Sequence, residues 1–157
     1  GIVGSALKER TVNEIYRLRK RDLDKPLIVL IADMCDLKKF GITLTHKQKK
    51  ILKMVWPGPV SAILPCPHDK FSYLHRGRET LAFRLPKKES LRRLIREVGP
   101  LVAPSANPQG HSVAKNIQEA RAYFGPNVDF YQDSGRVVAS PSKLIDITGD
   151  AEKILRS

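Results

Sequence analysis

Three arginines, a serine and an asparagine lie where predicted helices and strands end, which is where side chains from separate elements can reach a shared site. Arg19 and Arg21 follow a helical pattern, Arg84 closes an apolar segment, and Ser105 and Asn107 follow the last strongly apolar run. Guanidinium groups bind phosphates and carboxylates through paired hydrogen bonds, and hydroxyl and amide groups orient such anions without adding charge. These residue types predict a pocket for a phosphorylated or carboxylated small molecule.

Each part of this set also has a purely structural interpretation. Arg19 and Arg21 suit the carboxyl end of a helix, where cations complement the helix dipole. Ser105 and Asn107 suit a turn followed by a helix cap. The positions alone therefore leave the binding interpretation and the structural interpretation both open.

The sequence lacks the motifs of several other catalytic templates. It contains no G-x-x-x-x-G-K-[ST] loop, no G-x-G-x-x-G and no pair of histidines at metal-ligand spacing. Ser105, His111 and Asp133 supply the residue types of a catalytic triad, but no G-x-S-x-G turn accompanies them. The pattern favours chemistry by cationic groups and positioning over chemistry by a covalent nucleophile.

The charge balance widens the choice of partner. The chain has 28 Lys and Arg against 16 Asp and Glu, a net charge of +12, and such a surplus favours polyanions. Lys49 and Lys53 share one helical face, and Arg92 and Arg96 share another. Such faces are usually just solvated, but they can also follow a nucleic-acid backbone. A non-catalytic RNA-binding module, for tRNA, double-stranded RNA or ribosome assembly, is therefore the alternative hypothesis.

Length and composition predict one domain over residues 1–157. No apolar run approaches the roughly 20 residues that span a bilayer, so no membrane partner is expected. Cys35 and Cys66 are far apart in apolar surroundings, which favours free thiols and a cytoplasmic location. The start at Gly1-Ile2 is typical of an internal position, so we expect the domain to be truncated at its amino terminus.

Helical and strand patterns alternate along the chain and predict a mixed α/β sheet with helices packed on it. The order of the strands in the sheet does not follow from these patterns. The predicted helices are 11–24, 34–40, 46–56, 90–98 and 115–124, the predicted strands are 27–31, 60–64, 80–85, 101–103, 128–131 and 143–147, and 68–79 is predicted as a loop.

A series of short motifs in a fixed order identifies a family resemblance. The motifs are Arg19-Lys20-Arg21 with Lys25-Pro26-Leu27, Trp56-Pro57-Gly58-Pro59, Ala82-Phe83-Arg84-Leu85-Pro86, Ser105-Ala106-Asn107, Asp133-Ser134-Gly135 and Pro141-Ser142. Each motif alone is weakly specific. Their shared order and spacing, along essentially the whole chain, are highly specific. The sequence resembles the YrdC-like (TsaC-type) family of threonylcarbamoyl-AMP synthases.

The resemblance implies a twisted open mixed α/β sheet with flanking helices and a basic concave face. It implies an enzyme, an L-threonylcarbamoyladenylate synthase, that joins L-threonine, bicarbonate or CO2, and ATP, with Mg²⁺, and releases pyrophosphate. A separate threonylcarbamoyl transferase complex would then modify tRNA, and the basic face would contact tRNA or double-stranded RNA. No resident metal site is implied.

The resemblance also assigns roles to residues. Arg19, Arg21, Ser105 and Asn107 are the implied catalytic residues. Arg19 and Arg21 would hold the nucleotide phosphates or the carboxylate intermediate, and Arg84 would lie beside threonine and phosphate. The implied adenylate contacts are Ser105, Asn107 and Ser142.

The sequence departs from the family pattern at several points. Arg19 stands where the family has Lys, Lys143 where it has Thr, and Leu30 where some members have His. Members also begin with a strand ending in T-D-T-V-Y-G-L, of which Gly1-Ile2 resembles the last two residues. We therefore expect a substrate-binding hydroxyl and a core strand to be absent.

Overall fold

A computed structural model describes residues 1–133, 135–136, 141–149 and 152–156. Ser134 of the late motif lies outside these residues. The strands are β1 (Gly4–Ser5), β2 (Ile28–Leu30), β3 (Val60–Pro65), β4 (Thr80–Arg84), β5 (Leu101–Val102), β6 (Lys143–Asp146) and β7 (Lys153–Arg156). The α-helices are α1 (Glu9–Arg19), α2 (His46–Val55), α3 (Ser72–His75), α4 (Glu89–Val98) and α5 (Ile117–Phe124). Short 3₁₀ helices cover Met34–Phe40, Asp69–Phe71 and Gly125–Asn127.

The described strands form one seven-stranded sheet in the order β1-β5-β2-β4-β3-β6-β7. β2 runs parallel to β4, and β3 runs parallel to β6, whereas the other neighbouring strands are antiparallel. The predicted class, a mixed open sheet with flanking helices, is confirmed. β1 and β7 were not predicted, because Gly4-Ser5 contains no apolar residue and Lys153–Arg156 shows no alternation of apolar and polar residues.

One face of the sheet carries the main core. Val29, Phe83, Ala62 and Ile145 are fully buried there, and they pack with apolar side chains from α1, α2 and α3. On the other face α4 covers one end, where Ile95 packs against Leu30, Ala32 and Leu101. No described helix covers the remainder of that second face, where a cavity lies.

Local sequence signals set the start of α2 and both ends of the 3₁₀ helix Met34–Phe40 where they were predicted. The Thr45 hydroxyl accepts a hydrogen bond from the Gln48 backbone N–H at 3.2 Å, and the Gln48 side chain accepts one from the Thr45 N–H at 2.9 Å. This reciprocal capping satisfies two backbone donors that a helix start leaves free. Asp33 caps the 3₁₀ helix in the same way, and Gly41, with φ 71°, ends it in the left-handed region that favours glycine.

The first helix ends earlier than predicted. It was predicted over 11–24, but α1 ends at Arg19 because Lys20, with φ 47°, caps it in the left-handed region.

Two further local predictions are wrong. The predicted loop 68–79 contains a 3₁₀ turn and α3, because Phe71 and Leu74 fold it onto the core. The predicted strand 128–131 is irregular. The Tyr131 hydroxyl donates to the Gly125 carbonyl at 2.8 Å and its ring lies 4.6 Å from the Arg121 guanidinium carbon, so this segment folds back on α5. No helix among the described residues is long and apolar enough to cross a membrane.

Candidate functional site

The open face of the sheet forms a cavity of about 720 Å³. Side chains alternate between the two faces of a strand, so Val29 and Phe83 enter the core while Ile28, Ala82 and Arg84 line the cavity. We call this cavity the open-face cleft. Its described lining consists of Arg19, Arg21, Pro26, Leu27, Ile28, Leu30, Ile63, Arg78, Thr80, Ala82, Arg84, Ala103, Pro104, Ser105, Pro141, Ser142, Leu144, Asp146, Leu155 and Arg156.

The lining combines an apolar floor with a cationic rim. Five arginines and one carboxylate, Asp146, are among its described residues. Ile28 on β2, Ile63 on β3 and Leu144 on β6 supply apolar surface to its floor. A cleft of this kind attracts an anion that also carries an apolar ring, because the charges and the apolar floor act on different parts of one ligand.

Arg19 links the end of α1 to the loop after β5. Its Nε donates to the Asn107 carbonyl at 2.9 Å, and its Nη2 donates to the Ser105 Oγ at 3.1 Å and the Asn107 Oδ1 at 3.2 Å. The side chain is 3% exposed. A planar fork of donors suits this role, because one group reaches three acceptors in a fixed plane. The structure thus brings Arg19 to Ser105 and Asn107, which lie more than 80 residues later in the chain.

Burial makes Arg19 a costly charge. Burial first, and the nearby Arg21 charge second, lower the pKa of the guanidinium to about 10. Nη1 is buried and makes no hydrogen bond within the described residues. The group stays charged at neutral pH, so an anion that approached it would relieve both the desolvation and the unused donor.

Arg21 and Arg78 stand at one rim of the cleft. The Arg21 Nε donates to the Lys25 carbonyl at 3.0 Å, and the Arg78 Nε and Nη2 donate to the Asp24 carbonyl at 3.0 and 2.9 Å. Both guanidiniums therefore rest on backbone of the loop after α1. Arginines oriented in this way need little reorganisation to meet an anion.

The Trp56-Pro57-Gly58-Pro59 turn positions Arg84. The Arg84 Nε donates to the Gly58 carbonyl at 3.1 Å, and the Gly58 N–H donates to the Leu85 carbonyl at 2.9 Å. A Cβ at Gly58 would lie 2.4 Å from the Val55 carbonyl oxygen, so the turn requires glycine there. Partial burial lowers the pKa of the Arg84 guanidinium.

Ser142 sits at the opposite side of the cleft from Arg21. Its Oγ lies 2.8 Å from the Ser61 Oγ, and its carbonyl accepts from Arg156 Nε and Nη2 at 2.9 and 2.7 Å. The Arg156 Nη2 also donates to the Ser142 Oγ at 3.3 Å. Arg156 on β7 thus anchors the segment that carries Ser142 and adds a cation to the rim.

Asn107 does not line the described part of the cleft. Its Oδ1 accepts from Arg19, and its Nδ2 donates to the Pro108 carbonyl at 3.0 Å and the His111 carbonyl at 2.8 Å. With 8% exposure and all these contacts internal, its side chain braces Arg19 and the loop.

Five of the six predicted site residues line the cleft: Arg19, Arg21, Arg84, Ser105 and Ser142. Arg78, Arg156 and Asp146 also line the cleft and were not predicted from the sequence. Arg78 lies in the segment predicted as a loop, and Arg156 lies in β7, which shows no alternation of apolar and polar residues. A positive residue at a strand end, the signal used for Arg84, also fits Arg156.

Among the described residues no group of three His, Cys, Asp or Glu side chains is placed to hold a metal ion. The arginines of the cleft offer charge stabilisation and orientation of an anionic ligand, and Ser105 and Ser142 offer hydroxyl groups that can hydrogen-bond it.

The chain is similar in sequence to known proteins. The family model Sua5_yciO_yrdC, described as "Telomere recombination", matches residues 1–157. Threonylcarbamoyl-AMP synthase of Idiomarina loihiensis is 35% identical over 142 residues, covering 88% of this chain and 76% of the relative. That of Bacillus subtilis is 40% identical over 112 residues, covering 70% of this chain and 32% of the relative.

A solved structure matches the fold closely. The crystal structure of Pyrococcus abyssi Sua5 complexed with L-threonine superposes with a TM-score of 0.87 at 28% identity. The match covers 98% of this chain and 46% of the Sua5 chain. This chain therefore spans less than half the length of two of these three relatives.

Proposed function

Because the chain belongs to the Sua5/YciO/YrdC family, we propose that it synthesises threonylcarbamoyl-AMP from L-threonine, bicarbonate or CO2, and ATP, with release of pyrophosphate. The product would supply a separate transferase complex that modifies tRNA, and this chemistry belongs in the cytoplasm, where ATP and tRNA occur. The observation that carries the proposal is the open-face cleft, where five arginines surround an apolar floor.

The reaction brings anions together. The threonine amine and CO2 form a carbamate with loss of a proton, and a carbamate oxygen then attacks the α-phosphorus of ATP. The new O–P bond forms while the bond from that phosphorus to the bridging oxygen breaks, so pyrophosphate leaves with the electron pair. Cations fixed in advance around such a site lower the barrier, because the charge spreads over the phosphoryl oxygens in the transition state.

Each cleft residue has a task in this scheme. Arg19 and Arg21 would hold the phosphates. Arg84, at the end of β4, would bind the carboxylate of threonine. Ser105 and Ser142 would hydrogen-bond the adenylate. Asn107 would act through Arg19, because its amide contacts are internal.

Arg78 and Arg156 extend this scheme to both rims of the cleft. Arg156 would add a charge beside Ser142, whose backbone it holds. The apolar side chains of Ile28, Ile63 and Leu144 would pack against the adenine ring, since a flat apolar base and a charged tail match the floor and the rim separately.

Magnesium would enter this cleft together with ATP. Asp146 is the one carboxylate among the described lining residues, and its Oδ1 already accepts from the Thr148 N–H and hydroxyl at 2.9 and 2.7 Å. Mg²⁺ retains waters and binds phosphates with one or two carboxylates, so this donor set fits an ion held mainly by the polyphosphate. Such an ion would neutralise phosphate charge.

The proposal is tested by pyrophosphate release from ATP with threonine and bicarbonate present or omitted. We expect release to require all three substrates and to fall at least tenfold in Arg84→Ala. Lys53→Ala, an equal loss of charge on the exposed face of α2, is the matched control and should retain activity. Release that is independent of threonine and bicarbonate would contradict the proposal.

Binding of tRNA or double-stranded RNA to the basic surface stays a prediction. Lys47, Lys49, Lys50 and Lys53 are exposed on α2, outside the open-face cleft. If they follow an RNA backbone, RNA affinity falls steeply with salt and with their replacement by alanine. Retained affinity in the quadruple variant would rule out this surface.

A further inference from the structure

Gln109 joins two loops that are far apart in the chain. Its Oε1 accepts from the Asp22 backbone N–H at 3.1 Å, and its Nε2 donates to the Asp22 Oδ2 at 2.7 Å. Its own backbone N–H donates to the Arg19 carbonyl at 2.7 Å. Gln109 belongs to the loop after β5, and Asp22 to the loop after α1, 87 residues earlier.

These three hydrogen bonds lie on both sides of Arg21. One ends on residue 19 and two end on residue 22, so the two residues between them are held at each end. One of those two, Lys20, has φ 47°, in the left-handed region that a non-glycine residue adopts at a cost. Lys20 ends α1, where its own N–H donates to the Arg17 carbonyl at 3.1 Å and the Arg21 N–H donates to the Tyr16 carbonyl at 3.0 Å. The Gln109 contacts therefore add a second hold on this segment, from the loop after β5.

The Asp22 carboxylate has a second partner in its own loop. It accepts a hydrogen bond from the Lys25 ammonium, and the hydrogen bonds from Lys25 and Gln109 lower the pKa of Asp22. The carboxylate is therefore ionised at neutral pH. The Lys25 carbonyl in turn supports the Arg21 guanidinium, so one small network runs from Gln109 to a cation of the cleft.

We propose that Gln109 and Asp22 form a positioning latch that fixes Arg21 relative to the Ser105 loop and so sets the affinity of the cleft for the polyphosphate of ATP. Neither residue touches the nucleotide in this account, so both are positioning residues. The idea rests on the proposed function for the identity of the ligand. The latch itself depends only on the contacts between the two loops.

The latch can be broken and rebuilt by exchanging its two polar groups. Gln109→Glu places a second carboxylate against Asp22 and removes the donor. Adding Asp22→Asn restores an amide–carboxylate pair with the donor on the other loop and returns the net charge to that of the wild type. Gln118→Glu, on an exposed position of α5, is the control for the added charge.

The test combines amide hydrogen exchange of residues 20–25 with calorimetric titration of ATP. In Gln109→Glu we expect exchange at least tenfold faster and an ATP Kd at least fivefold higher. The double variant should return both values to within twofold of wild type, and Gln118→Glu should leave both unchanged. Where turnover is measured, KM for ATP should rise while kcat stays within twofold, as for loss of uniform binding.

Unchanged exchange in Gln109→Glu, or a double variant no better than the single one, would overturn the latch. Failure of the proposed function is a separate result: the wild-type protein would then show no threonine-dependent release of pyrophosphate. In that case exchange and ATP titration still decide whether the latch exists.

Discussion

The two faces of the central strands differ in role: one packs into the core and the other lines the open-face cleft, and residues adjacent in sequence belong to opposite faces. On β4, Phe83 is fully buried in the core, whereas Arg84, the next residue, lines the open-face cleft. On β2, Val29 is buried under the helices, and Ile28 lines the cleft. The same backbone ladder therefore supports a dry apolar layer on one side and a charged binding surface on the other.

This difference separates stability from binding. The packed face is closed by α1, α2 and α3, and changes there should act on folding. The open face holds its arginines through hydrogen bonds to backbone carbonyls, such as that from Arg84 to Gly58. Changes there should act mainly on ligand affinity and turnover, and the following variants test that division.

The largest expected effect is on the packed face. Phe83 packs edge-on against Phe40 with ring centroids 5.1 Å apart. Phe83→Ala should lower the free energy of unfolding by about 3–5 kcal/mol, because a cavity replaces a fully buried ring. Urea unfolding followed by circular dichroism measures this. Phe83→Leu should cost clearly less, and a loss below about 1 kcal/mol in Phe83→Ala would show that this face is not the core.

Asn107 should affect both stability and turnover. Asn107→Ala removes two donors to backbone carbonyls and an acceptor of Arg19. We expect a loss of about 1–3 kcal/mol in stability, because buried partners are left without hydrogen bonds, together with at least tenfold lower pyrophosphate release. Thermal unfolding and turnover of the same sample check this. Lost turnover without lost stability would instead place the amide in contact with substrate.

Arg21 should affect turnover alone. Arg21→Ala should cut pyrophosphate release at least tenfold, or about 1.4 kcal/mol in barrier, with the melting temperature nearly unchanged because its contacts are to exposed backbone. Lys49→Ala, which removes an exposed cation of α2 outside the described cleft lining, is the comparison variant and should retain turnover. A large drop in the melting temperature of Arg21→Ala would mark it as structural.

The smallest expected effect concerns the two thiols, one buried in the main core and one exposed to solvent. Cys66 is buried and Cys35 is exposed, so one thiol should react with Ellman's reagent in the folded protein and two in denaturant. A hydrogen bond with Asp33 raises the pKa of the Cys35 thiol. Asp33→Asn should lower that pKa, and Cys35 should then react faster at pH 8. Equal rates in the two proteins would contradict this.

The sequence predicted the elements whose patterns are long or sharply ended. The run 27–31 and the Thr45 cap gave β2 and the start of α2 because burial and capping are local. Arg19, Ser105 and Asn107 were linked by motif order, but their roles in the cleft depend on which side chain faces which way. That Asn107 braces Arg19 follows only from the loop geometry.

Elements set by tertiary contacts were not predictable from local patterns. α3 is four residues long and is fixed by packing of Tyr73 and Leu74 on the core. Residues 128–131 have a strand-like composition, yet they pair with α5 through Tyr131. Arg156 reaches the cleft only because β7 pairs with β6 at the end of the sheet.

The central claim is that the open-face cleft is the nucleotide site, and calorimetric titration with ATP tests it most directly. The double variant Arg21→Ala/Arg84→Ala removes two cleft cations, and Lys49→Ala/Lys53→Ala removes two from α2. The account predicts one ATP bound per chain, at least a hundredfold weaker binding in the cleft variant, and binding within twofold of wild type in the α2 variant. Unchanged affinity in the cleft variant, or equal loss in both, would contradict it.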